Sequence, residues 1–105
     1  MKLENKIFKL IDFINYQKES VVSREIINKP AGTVTLFAFD KGQGLSEHKA
    51  PFDALVYIVD GKADITIAGR LNKLEAREMI IMPKNSPHAL KATEKFKMLL
   101  VMIKS

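Results

Sequence analysis

The sequence predicts an all-β domain, closed into a barrel or folded as a jelly roll. The first sign is the character of the chain from Ser20 onward. There the sequence becomes a series of short runs rich in β-branched and aromatic residues, "SVVSREIIN", "TVTLFAFD", "ALVYIVD", "ADITIA", "EMIIM", "PHALK" and "FKMLLVMI". Such runs fit a pleated, half-buried surface. The second sign is the Gly, Pro, Asn and Asp between them, residues that tolerate the backbone angles of tight turns. The third is number: roughly eight to ten short strands in so short a chain leave many edges, which closure or stacking of two sheets hides.

The elements follow in order. Residues 1–19 form an N-terminal arm ahead of a barrel over 20–103, within one domain of 105 residues, since a chain this small builds a single core. Within the arm, Glu4–Tyr16 sets Ile7, Leu10, Ile11 and Ile14 on one helical face, which predicts a short amphipathic helix or a covering arm. In "YIVDGKADITI" the pair Asp60-Gly61 stands between two strand-like runs and predicts a hairpin, because both residues accept the positive φ of a type I′ turn. Ala68-Gly69 predicts a second turn, leading into "RLNKLE". In "PKNSPH" Asn85 lies between two prolines that forbid a continuing central strand, so a left-handed turn is expected there.

Composition narrows the function. There are no cysteines, so disulfides, thiolate metal sites and cysteine nucleophiles are excluded. The longest apolar runs, Ala54–Val59 and Met98–Ile103, fall far short of the ~20 residues of a membrane-spanning helix. No secretory leader is legible in "MKLENKIFKLIDF", and a cytoplasmic location is the expectation. Seventeen Lys and Arg against twelve Asp and Glu give a net charge of +5. These cations are spread along the chain with little aromatic interleaving, which reads as a solvated surface and not as a nucleic-acid footprint. Neither nucleic acid nor membrane is expected as a partner.

The two histidines, His48 and His88, each lie beside a turn. A histidine at a strand end, taken alone, is more often a hydrogen-bonded side chain than a ligand. Their flanking residues carry more. "GLSEHKAPFDALVYIVDGKADI" resembles the first motif of the cupins, a glycine followed by His-x-His, a glutamate four positions on and a strand ending in glycine. "AREMIIMPKNSPHALKA" resembles the second, in which a strand runs into Pro-x-Gly and a histidine three residues later.

The resemblance implies a double-stranded β-helix, the conical cupin jelly roll, with one site inside. Complete members hold a divalent metal on three histidines and a glutamate. Here His48 matches the first histidine and His88 the one of the second motif, while Ala50 and Ala54 stand at the other two ligand positions. Ala76 and Asn85 stand where the second motif has glycines. Alternation along a strand points Ala50, Ala54 and Val56 inward with His48, and Leu90 with His88. These six residues are the candidate pocket. Glu47 and Asp53 are expected to face away, so neither carboxylate replaces the missing ligand. Two methyl groups in place of an imidazole and a carboxylate should enlarge and dry the cavity, which suits a small organic ligand.

Three functions compete on this reading. The first is a small-molecule-binding barrel without an essential metal. The second is an enzyme: either a metal-dependent dioxygenase, isomerase or decarboxylase using a divalent metal (Zn, Fe, Mn or Ni) on His48 and His88, or a metal-free acid–base catalyst. The third is a structural module with an idle site. The long apolar runs "SVVSREIIN" and "FKMLLVMI", read as uncovered edges, together with the habit of cupins to dimerise through edges, imply a homodimer.

Overall fold

A computed structural model describes residues 3–104. The chain forms eight strands: β1 Val21–Lys29, β2 Gly32–Phe39, β3 Gly44–His48, β4 Asp53–Ile67, β5 Arg70–Glu75, β6 Met79–Met82, β7 His88–Lys91 and β8 Phe96–Ile103. They make an all-β jelly roll. The order along the hydrogen-bonded path is β1-β2-β8-β4-β7-β3, with β5 and β6 also paired to β4. Strand β4 belongs to two sheets. Its first half pairs with β8 and β6 in the first sheet, and its second half with β5 and β7 in the second.

The shared strand corrects the expected hairpin. Asp60-Gly61 lies inside β4, where pairing with β8 slips between Ile58 and Asp60, so the residues form a bulge and not a turn. Gly61 has φ 77, the feature that a bulge and a type I′ turn have in common. A Cβ there would collide with the Lys95 carbonyl, which explains the glycine. The bend carries β4 from one sheet into the other. The turn expected at Ala68-Gly69 does form, with φ 50 and 81, and joins β4 to β5. Asn85 is left-handed as anticipated, at φ 64. The other glycine-like position of the second motif is Arg77, at φ 75, one residue beyond Ala76. Its N–H donates to the Ile58 carbonyl, a bond that holds the left-handed turn in a non-glycine residue.

Strand β3, on whose alternation the placing of His48 and Ala50 rests, ends at His48. Strand β5 is mostly exposed, and "RLNKLE" carries too little alternation to announce itself as a strand. Strand β8 was read as an open edge but runs between β2 and β4. Only its first three residues, Phe96, Lys97 and Met98, are buried; the rest of the apolar run is half-buried and Ile103 is exposed. Strand β1 is an edge.

The N-terminal segment is a covering arm with a single 3-10 turn at Leu10–Asp12, not an amphipathic helix. Asn5, Asp12, Asn15 and Tyr16 are weak helix formers, and Asn5 adopts φ 63. Of the predicted stripe only Ile14 is buried, with Ile7 fully exposed. The arm instead presses Phe13 and Ile14 onto Leu36 and Ala38 on the outer face of the first sheet. Polar clasps fix it there. The Arg24 guanidinium lies 3.9 Å from the Phe13 ring centroid and donates to the Phe13 carbonyl at 3.0 Å. Tyr16 donates its hydroxyl to Asp60 at 2.7 Å, and burial with this carboxylate raises the phenol well above its ordinary range. Lys97 reaches up to the Ile11 carbonyl.

Inside the barrel, Phe39 and Phe96 stack with ring centroids 4.5 Å apart, amid Val56, Ile58, Ile65 and Met98. These residues close one end of the interior.

Candidate functional site

The other end holds the histidines. Strand β3 pairs with β7 so that His48 lies opposite His88, after a slip between Leu45 and His48. That slip is what turns both rings to one point. Their Nε2 atoms are 3.1 Å apart, and the rings meet edge to face with centroids 4.3 Å apart. The loop before His88 is tied down by backbone bonds from Asn85 to Ala50 and from Ala68 to Pro87, each 2.8 Å. His88 is buried at 5% exposure, whereas His48 faces solvent.

The backbone sets the tautomers. His48 Nδ1 lies 2.9 Å from the Ser46 carbonyl and His88 Nδ1 3.2 Å from the Ser86 carbonyl. A carbonyl oxygen only accepts, so each Nδ1 carries a proton. Both Nε2 lone pairs therefore point at one focus. Two neutral rings would oppose lone pair to lone pair; one shared proton makes a hydrogen bond, and two protons make a like-charge pair. Burial, and then the charge of His48, hold the His88 pKa below its ordinary 6.5, against the opposing pull of the Ser86 carbonyl. His88 is the ring kept neutral.

Beneath the pair lies a cavity of about 50 Å³ whose walls include Leu45, Ala50, Ala54, Met82, Leu90 and Met102. Of the six residues singled out in the sequence, the structure brings His48, Ala50, Ala54, His88 and Leu90 to this cavity. Val56 is fully buried in the core below it and does not line it. Met82, Met98 and Met102 also line the cavity, and their flexible thioethers occupy space that the alanines vacate. Met79 and Tyr57 pair on the outer face of the first sheet.

The donor set does not fit the complete four-ligand centre of the fold family. Ala50 and Ala54 present methyl groups, and Asp53 is exposed and accepts from the Lys84 N–H at 2.9 Å. Among the described residues no group of three or more His, Asp or Glu side chains is placed to hold a metal ion. Two imidazoles with fixed Nδ1 protons remain, able to offer two lone pairs to whatever enters the focus.

A closed jelly roll with paired histidines on β3 and β7 defines a class of small barrels with a single internal site. The comparisons agree: the cupin domain family matches residues 35–104, and the chain belongs to that family. It is similar to a conserved protein of unknown function from Streptococcus pyogenes, at 36% identity and TM-score 0.92, over 96% of this chain and 89% of that one. It is also similar to a cupin 2 conserved barrel domain protein from Leptotrichia buccalis, at 40% identity and TM-score 0.90, over 92% of this chain and 47% of that chain. A cupin superfamily protein from Desulfitobacterium hafniense shares the fold at 24% identity and TM-score 0.91, over 97% of this chain and 94% of that one. No curated protein matches the chain.

Proposed function

We propose that the chain is a small-molecule-binding cupin barrel, without an essential metal, that takes its ligand at the paired Nε2 atoms of His48 and His88. The convergence of these nitrogens to 3.1 Å, over a cavity with otherwise apolar walls, carries the reading. Both Nδ1 atoms are committed to carbonyls, so recognition falls on Nε2. A group that brings a proton, such as a carboxylic acid or a phenol, donates it to one Nε2, and a proton passed to that nitrogen then bridges to the lone pair of the other.

Size limits the ligand further. About 50 Å³ is well under the ~300 Å³ at which pockets begin to enclose drug-sized molecules, so the cavity admits a head group of a few atoms. The rest of the ligand then lies at the mouth. A thermal-shift panel of small carboxylic acids and phenols tests this. A compound that raises the melting temperature of the native chain should lose its effect in His48→Ala, since binding to the folded state stabilises by mass action. No shift from any compound, or equal shifts in the native chain and the variant, would overturn ligand binding at the paired histidines.

A second reading is a metal-dependent enzyme of dioxygenase, isomerase or decarboxylase type. It is favoured by the same fixed Nδ1 contacts, since a carbonyl that holds the far nitrogen of an imidazole is what orients a metal-binding histidine. Metal content of untagged protein separates the two readings. Near-stoichiometric Zn, Fe, Mn or Ni supports the enzyme, and traces removed by mild chelation support the metal-free pocket.

A further inference from the structure

We propose that the pocket under the histidines is also a binding site for a soft monovalent cation, Cu(I), held by the Nε2 atoms of His48 and His88 together with the thioethers of Met82 and Met102. The pairing registers place Met82 of β6 and Met102 of β8 directly on either side of Ala54. Residues side by side across a sheet share a face. Both methionines therefore flank the position that the complete cupin centre gives to its glutamate. All three residues line the cavity beneath the two imidazoles. Met82 is buried and Met102 half-buried. A volume of about 50 Å³ is the space of a few water molecules, so groups on its opposite walls can meet one ion.

The two nitrogens do not complete such a site by themselves. Atoms 3.1 Å apart, each about 2.0 Å from one ion, subtend roughly 100° at it. That angle is near tetrahedral and far from the linear arrangement in which two imidazoles suffice, so further donors have to come from the cavity side. Among the described residues no third His, Asp or Glu is placed to join the pair. With no cysteine in the chain, thioether sulfur is the donor that the pocket offers.

This donor set selects the ion. Thioether sulfur is a soft ligand that favours Cu(I), whereas carboxylates, carbonyls and water suit Mg, Ca and Mn. Charge selects in the same direction. Both Nδ1 atoms keep their protons on carbonyls, so the imidazoles bind as neutral ligands, and methionine is neutral too. Among the described residues no carboxylate lines the cavity; Asp53, next to Ala54 in the chain, is exposed and accepts from the Lys84 N–H. The whole charge of the ion then enters an apolar pocket without an anion to offset it. That cost grows as the square of the charge, so a dication costs about four times as much as Cu(I). A glutamate exchanged for two flanking thioethers thus changes the preferred ion. The site goes beyond the organic-ligand reading, and because an acid and Cu(I) use the same Nε2 lone pairs, each excludes the other.

Anaerobic titration of the untagged full chain with Cu(I), in competition with the chromophoric chelator bicinchoninate, tests the proposal. One Cu(I) per chain is expected, with copper-edge X-ray absorption showing sulfur as well as nitrogen bonded to the metal. Zn(II) and Mn(II) at equal concentration should not displace it. Met82→Leu and Met102→Leu conserve side-chain volume, with the far-UV spectrum as the check on folding, and should each weaken Cu(I) about tenfold or more. Met79→Leu, on the outer face, should change nothing, and His48→Ala should abolish binding. The leucine variants should keep every thermal shift that small acids give the native chain, because those shifts need only the histidines. No bound Cu(I), displacement by Zn(II), affinity indifferent to both leucines, or copper bonded to nitrogen without sulfur overturns the thioether site; acid shifts that persist beside any of these leave the organic-ligand reading standing. Cu(I) bound as described, with no acid shift, upholds the site and overturns that reading alone.

Discussion

The two ends of the barrel interior are built from the same strands and differ in almost every physical respect. The inward residues of β8 show it in one line: Phe96 and Met98 are buried, Leu100 and Met102 are half-buried. At the first end stacked aromatic rings fill the space between the sheets. At the second, short side chains and thioethers leave a cavity under two imidazoles. The closed end supplies the stability that lets the open end hold buried polar groups and unfilled volume, each of which costs free energy. Substitutions at the two ends should therefore separate stability from binding.

The largest effect is expected at the closed end. Phe96→Ala removes a fully buried ring and its stacking partner's contact, at a cost of about 3–5 kcal/mol. Urea unfolding measures it. A loss under ~1 kcal/mol would mean that the aromatic stack is not what closes the barrel. Next comes the bend in β4. Gly61→Ala places a Cβ against the Lys95 carbonyl at φ 77, and should cost about 2 kcal/mol. Because the bulge hands β4 from one sheet to the other, the same variant should also loosen the His48–His88 contact, read as a shift of the imidazole resonances.

How much of this was legible beforehand follows the same division. The histidines and the alanines that replace two ligands stand at fixed distances along the chain, so a motif with its spacing placed them correctly. The left-handed conformation of Arg77 is not legible in the sequence, because nothing in the arginine side chain signals a positive φ; its N–H donates to the Ile58 carbonyl. Asp60-Gly61 was misread for a related reason. A glycine that must be left-handed serves a turn or a bulge equally, and only pairing with β8 decides. The size of the cavity is not legible at the motif, because it depends also on methionines from β6 and β8, far from the alanines in sequence. The arm's stripe of isoleucines suggested a helix, yet the sheet beneath it takes Phe13 and Ile14, adjacent residues that one helical face does not bury together.

A smaller effect is expected at the mouth. Met102→Ala shortens a half-buried side chain that lines the cavity, at a cost of about 1–2 kcal/mol, less than a fully buried methionine would incur. If the thioethers set the size limit, the thermal-shift panel run on this variant should extend to bulkier acids. An unchanged size limit would assign it to the histidines.

The smallest effect concerns pH and isolates the buried ring. The pKa of His88 is lowered in the folded chain from its ordinary 6.5 by burial and by His48, so between the two values the unfolded chain binds the extra proton. Stability rises with pH wherever that holds. The contribution of His88 is therefore complete above about pH 6.5, declines as the pH falls through the folded value, and changes no further below it. Asp40 does not confuse this window. Its carboxyl is held below its ordinary 3.8 by the backbone N–H groups of Glu19 and Lys41, so its contribution is lost only in stronger acid. Urea midpoints from about pH 7.5 to about pH 5 should fall in the native chain and stay nearly level in His88→Gln. Equal slopes in both would place the titrating group elsewhere and remove the desolvated histidine that distinguishes the open end from the closed one.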